Sequence, residues 1–257
     1  MAAVRHASVF RFYEELNEFL PPRRRKVAFR HVFAGTPSVK DRIESLGVPH
    51  TEVDLILVDG VPVDFGHRLA GGERVAVYPV FEAFELGSVN RLRPRPLRNT
   101  RFVLDVHLGR LAAYLRLLGF DCTYANDLAD GQIIEISLSE HRIVLTRDTG
   151  ILKDGRVTHG AFVYATDPLA QVREVLERFQ LEQRTRPFTR CMRCNGRIDA
   201  ISAATAGRSV PDSVSRDFKR FSRCRRCRRV YWPGSHYDRL RRKFRGIGVA
   251  LEPPADP

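Results

Sequence analysis

The sequence predicts a mixed α/β chain with a central parallel sheet covered on both faces, a small β-rich unit before it and a cysteine module after it. Three observations carry this reading. From Phe102 onward, short apolar runs alternate with segments of helical periodicity, the pattern of βα units around a buried parallel sheet. Upstream, four apolar runs surround a single helical segment, and downstream two C-x2-C pairs sit among arginines. At 257 residues, with 43% hydrophobic and 28% charged residues, the chain can hold two domains and a smaller module, and its composition is that of a folded protein. No apolar run reaches the ~18 residues of a membrane span. Arg11, Glu14 and Glu15 break up the N-terminal stretch, so a cytoplasmic protein without a membrane partner is expected.

In order along the chain, "ASVFRFYEEL" and "KVAFRHVFAG" read as two strands joined by a turn at Pro21 and Pro22. A helix follows, with Thr36 as N-cap, Pro37 at its first position and Gly47 just past its end. "VDLILVDGVPV" and "ERVAVYPVF" read as two further strands. This β-β-α-β-β order over residues 1–86 resembles the ubiquitin-like β-grasp fold of small sulfur carriers. Those carriers act through a C-terminal Gly-Gly tail, whereas Gly71-Gly72 lies within a loop here. The unit is therefore expected to dock onto an as yet unknown protein and not to carry sulfur. Residues 87–100, rich in proline and arginine, read as a linker.

In the central part, residues 101–183, "FVLD", "DCTYA", "RIVLT" and "GAFVYAT" are strands. The helix after the first places Leu108, Leu111, Ala112, Leu115 and Leu118 on one face. A second helix opens on Asp130. A third starts on Pro168 and turns Leu169, Val172, Leu176 and Phe179 inward. Neither an internal repeat nor a glycine-rich phosphate loop is present.

Three aspartates stand at successive βα junctions: Asp105 after the first strand, Asp130 after the second and Asp148 after the third. Ligands of open parallel sheets bind beyond the carboxyl ends of the strands. Three convergent carboxylates call for a divalent cation such as Mg²⁺ or Mn²⁺, the usual device for phosphodiester hydrolysis. Singly, Asp105 and Asp130 read equally as helix N-caps and Asp148 as a turn residue. Arg110, Arg116, Arg147 and Lys153 are candidates for holding phosphates, Arg147 foremost because it adjoins Asp148. His107 and His159 read as structural or surface residues, and Cys122 as a buried thiol.

Cys191, Cys194, Cys224 and Cys227 form two C-x2-C knuckles in the 184–246 module, the ligand set of a closed tetrahedral Zn²⁺ site. Arg220, Arg223, Arg225, Arg226, Arg228 and Arg229 bracket the second knuckle, followed by Tyr231 and Trp232, and Arg239, Arg241, Arg242, Lys243 and Arg245 extend the run. With a net charge of +13, this favours a nucleic-acid partner, arginines gripping the backbone and aromatics stacking on bases. At least one of the two aromatics is expected to pack against the ribbon instead. Residues 247–257 read as a disordered tail.

"VLDVHLGRLAAYLRLLGFD", "ADGQIIEIS", "RIVLTRDTGIL", the cysteine pairs and "RRVYWPGSHYDRL" resemble the PIN-type ribonuclease domain at the C-terminus of the mutator-seven exonucleases. Bacterial members of that family carry a ubiquitin-like domain in front. The resemblance implies a three-layer α/β/α fold and metal-dependent endoribonuclease chemistry. Asp105, Asp130 and Asp148 match the family's acidic positions, and Thr146 matches its hydroxyl two residues before the last acid. Many such nucleases have a further acid on the first helix, which here reads "HLGRLAAYLRLLG". Asp127, Glu135 and Asp154 are the substitutes within reach. The alternative is a non-catalytic factor that binds tRNA, rRNA or the ribosome through a degenerate site.

Overall fold

The computed structural model of the chain describes residues 5–79 and 100–252. Residues 87–99 of the expected linker and 253–257 of the expected tail lie outside them. Leu251, within that tail segment, is buried. The chain divides into two compact units, one joining the N-terminal residues to Asp148–Phe162, the other formed by Thr100–Arg147 and the residues from Val163 onward.

The first unit contains β1 (Arg5–Phe12), β2 (Phe29–Ala34), α1 (Val39–Ser45), β3 (Val53–Val58), β4 (Val61–Val63) and β5 (Arg74–Pro79). Its sheet runs β2-β1-β5-β3-β4, with β1 and β5 parallel and the other pairs antiparallel. Two-residue periodicity turns Phe10 and Phe12 of β1 and Val75 and Val77 of β5 inward, where they meet Val39 and Ile43 of α1. This is the expected β-β-α-β-β arrangement, with three local corrections.

Ser38, not Thr36, caps α1. Its Oγ accepts from Asp41 N at 3.1 Å and Asp41 returns a bond to Ser38 N, so a reciprocal capping box outweighs Pro37 as a start signal. "VDLILVDGVPV" is two strands, because Asp59 and Gly60 both take positive φ (49° and 83°) and turn the chain into a hairpin. "EEL" leaves the first strand for a 3-10 turn, Glu14–Phe19, pinned by Asn17, whose amide donates to Phe12 O and Glu14 O.

The second region begins with β6 (Arg101–Leu104), a 3-10 turn at Val106–Leu108, α2 (Gly109–Leu117), β7 (Asp121–Thr123), α3 (Asp130–Glu140) and β8 (Ile143–Thr146). β6 is central and parallel to both β7 and β8. The five apolar residues expected on the helix face, Leu108, Leu111, Ala112, Leu115 and Leu118, are all buried. Next come α4 (Thr149–Lys153) and β9 (Gly160–Phe162), both in the first compact unit. α5 (Pro168–Arg178) packs on α2, with Asp167 accepting from Leu169 N and Ala170 N as its cap. Val172 and Leu176 are buried as expected, whereas Leu169 and Phe179 are only half-buried.

The remainder is β10 (Ile198–Ile201), α6 (Ala203–Gly207), α7 (Asp212–Asp217), β11 (Phe221–Cys224), β12 (Val230–Tyr231) and α8 (Ser235–Arg245). Its three strands form an antiparallel sheet, β10-β11-β12. α8 buries Leu240 and Phe244, leaves Arg239, Arg242, Lys243 and Arg245 exposed, and half-buries Arg241 over the Tyr237 ring. The Phe244 ring meets Tyr114 of α2 edge-on at 5.2 Å.

One carboxylate joins the parallel sheet to the cysteine module. Asp121, the first residue of β7, accepts from Arg142 at 2.8 Å, Arg190 at 2.9 Å and Asn195 at 2.8 Å. Asn195 in turn accepts from Cys122 N. Burial alone would raise the Asp121 carboxyl, but the Asn195 amide and the two guanidiniums outweigh it and hold it below its ordinary value. Asp121→Asn is expected to cost on the order of 3 kcal/mol, because it removes the carboxylate charge shared by two poorly hydrated guanidiniums. The sign with pH follows from the depressed folded value. The contribution is complete above the unfolded carboxyl range, about pH 4, and is lost as pH falls through the folded value. Thermal melts of wild type and Asp121→Asn should therefore differ at neutral pH and converge at strongly acid pH.

Candidate functional site

β6 ends at Leu104, and Asp105 follows with its N–H donating to Leu145 O of β8, so the carboxylate stands where the parallel ladder runs out. It heads the 3-10 turn at Val106–Leu108, yet its side chain makes no capping hydrogen bond. Its Oδ2 instead accepts from Thr146 Oγ1 at 2.8 Å. Asp105 is 4% exposed and Thr146 0%. One oxygen of this deeply placed carboxyl group is therefore engaged by a neutral hydroxyl. The bare N-cap reading of Asp105 does not hold. Tyr124 supports the turn by donating to Val106 O, and Gly109 leaves room for it: a Cβ there would lie 2.5 Å from the Tyr124 hydroxyl.

Asp130 is exposed at the first residue of α3, whose N-cap is Ala129. Asp148 caps α4, accepting from Gly150 N at 2.6 Å, and belongs to the first compact unit. The structure thus brings Thr146 to Asp105 and sets Asp130 and Asp148 at two helix starts. α2, "GRLAAYLRL", carries no acid, while Asp127 and Glu135 are exposed and Asp154 is half-buried and tied to Arg156.

Two arginines proposed for phosphates are structural. Arg116 is 5% exposed and donates to the carbonyls of Cys122, Met192 and Arg193. Arg147 Nη1 donates to the carbonyls of Val163, Tyr164 and Ala165, so Arg147 staples the segment just after β9 and is not a free phosphate ligand. Arg110 and His107 are exposed. Burial pushes the Cys122 thiol up to about 12, which fits the inert buried thiol expected there.

The four cysteines converge. Cys191 and Cys227 sulfurs are 3.6 Å apart, Cys194 and Cys224 3.4 Å, and all four Sγ atoms lie within 4.8 Å of one another. A tetrahedral ZnS₄ unit with bonds of about 2.3 Å separates its sulfurs by about 3.8 Å, so the donor set fits Zn²⁺. Gly196 is required by the close approach, since a Cβ there would sit 2.8 Å from the Cys224 sulfur. Burial opposes ionisation of Cys194, but the Gly196 N–H and the neighbouring thiols draw it down to about 7.

Around the second knuckle Arg220, Arg225, Arg226, Arg228 and Arg229 are exposed and Arg223 is half-buried. Arg225 pairs with Asp199 and Arg226 donates to Cys194 O. Tyr231 is the aromatic that packs inward. Its hydroxyl lies 3.0 Å from Cys191 Sγ, and burial raises its pKa, so it is not a base-stacking platform. Trp232 is half-buried. The sequence reading missed Asp121, Arg142, Arg190 and Asn195. Only Asn195, inside "CMRCNG" and at a φ of 65°, carried a local signal.

The purified protein is expected to retain one zinc per chain, released on thiol modification and counted with a colorimetric chelator. Cys194→Ser and Cys224→Ser should each abolish this retention. They should also lower the melting temperature of the second unit, because Arg116 and Asn195 tie the knuckle to β7.

The chain matches the family model described as Mut7-C RNAse domain over residues 100–244 and that described as Mut7-C ubiquitin over residues 6–85. No curated protein and no solved structure matches it. No helix among the described residues is long and apolar enough to cross a membrane. With the sheet-end carboxylate, the four-cysteine cluster and the N-terminal β-grasp sheet in place, and a match spanning more than half of its length, the chain belongs to the Mut7-C RNAse domain family, preceded by that family's ubiquitin domain.

Proposed function

We propose that the chain is a metal-dependent ribonuclease that hydrolyses RNA phosphodiester bonds, with Asp105, Asp130 and Asp148 as the ligands of Mg²⁺ or Mn²⁺. The observation that carries this is Asp105, a buried carboxylate at a strand end whose hydrogen-bonded partner is the Thr146 hydroxyl. Membership of an RNAse family supports the same reaction class. The cation, when bound, neutralises charge that develops on the phosphate. Thr146 fixes the Asp105 rotamer by donating to one oxygen and leaves the other oxygen for the cation. The four cysteines hold structural Zn²⁺, and the exposed arginines Arg220, Arg225, Arg226, Arg228 and Arg229, with Arg223 and Trp232 beside them, track the RNA backbone. Transfer RNA, ribosomal RNA or the ribosome are the RNA partners to test. An external protein bound by the ubiquitin-like domain remains part of the proposal.

Asp105→Asn and Asp148→Asn should each lower cleavage at saturating Mg²⁺ or Mn²⁺ by about a hundredfold or more, roughly 2.7 kcal/mol of transition-state stabilisation. Thr146→Val, which keeps the shape and loses the donor, should cost about 10- to 100-fold. RNA binding, measured by filter retention, should survive all three. The absence of an acid on α2 favours a second reading, a non-catalytic RNA-binding factor. RNA affinity that withstands EDTA, with no Mg²⁺- or Mn²⁺-stimulated cleavage by wild type, would establish that reading instead.

A further inference from the structure

The ubiquitin-like sheet shares its compact unit with residues 148–162, a stretch that lies inside the RNAse-family match and opens with Asp148. The attachment is specific. A 3-10 turn, His50–Glu52, presents three consecutive buried polar side chains, 7%, 1% and 0% exposed. His50 Nε2 lies 2.9 Å from Val157 O, Thr51 Oγ1 donates to Leu152 O at 3.4 Å, and Glu52 Oε1 accepts from Phe162 N at 2.6 Å. All three target backbone atoms of one short stretch. Around them Ile151, Leu152 and Val157 are buried, and the Phe19 ring meets Phe162 edge-on at 5.5 Å. His50 Nδ1 faces Glu44 Oε1 at 2.7 Å, so both ring nitrogens lie against oxygen atoms.

We infer that the ubiquitin-like domain works in cis as a clamp on residues 148–162, fixing the helix that Asp148 caps. Buried polar groups are costly without partners. Release of the stretch would break one bond of each of His50, Thr51 and Glu52 together, so the attachment is a built part of the fold and Glu52 is its main positioning residue. The consequence for catalysis rests on the proposed role of Asp148. The clamp itself does not.

The test is amide hydrogen exchange on the full-length protein, followed by mass spectrometry. Glu52→Ala is expected to raise exchange over residues 151–162 by about tenfold, with amides in β1 and β6 unchanged. Glu52→Gln keeps an acceptor oxygen for Phe162 N and should restore protection. Should Glu52→Ala also open β1, Phe19→Ala reads the same attachment from its apolar side and should raise exchange near Phe162. Wild-type exchange over 151–162 in both alanine variants would overturn the clamp, as would loss of protection in Glu52→Gln equal to that in Glu52→Ala. Mn²⁺ titration of RNA cleavage separates the two readings. Raised exchange with a weakened Mn²⁺ midpoint supports both. Raised exchange with an unchanged midpoint upholds the clamp and removes Asp148 from the metal set.

Discussion

Asp121 is the contact on which the second unit depends. Its two oxygens collect a guanidinium from the α3–β8 junction, a guanidinium from Arg190 just before the first knuckle, and the amide of Asn195 within that knuckle. Asp121 and Glu140 together balance Arg142 and Arg190, and Arg116 adds a buried cation beside the thiols. A Zn²⁺ ion with four thiolates would carry a net charge of −2. Arg116 therefore offsets part of the charge that such a cluster would carry. Neither the knuckle nor the end of β7 is a self-sufficient piece of structure.

The fold was legible where local signals act alone. The α2 face, the start of α5 at Pro168 and the two knuckles follow from spacing, because periodicity, helix-start signals and thiolate geometry are decided within a few residues. Errors arose where two local signals competed. Thr36-Pro37 lost to the Ser38–Asp41 box, and a long apolar run hid the Asp59-Gly60 turn. The candidate site was legible by residue type and position, since Asp105 and Thr146 do meet. What no spacing could reveal was long-range pairing: Arg116 with the knuckle carbonyls, Tyr231 with Cys191, Glu52 with Phe162. These partners are set by tertiary packing.

The arginine excess divides into two populations. Arg116, Arg142 and Arg147 are buried or half-buried and saturate backbone carbonyls, acting as multi-armed staples with fixed geometry. Those around the second knuckle and along α8 are mostly exposed and crowd one sign of charge on a small module. Net charge alone does not separate these roles. The number of backbone oxygens within reach of each guanidinium does.

The attachment of residues 148–162 to the ubiquitin-like sheet also bears on how the chain is made. Contacts that span some hundred positions of sequence are slow to form by search. Synthesis removes most of that search, because N-terminal domains fold as units while the rest of the chain is still emerging. His50–Glu52 precede residues 148–162 in the chain and are synthesised first. A circularly permuted chain that placed the same domain last would retain every contact described above, yet would have to fold in a different order.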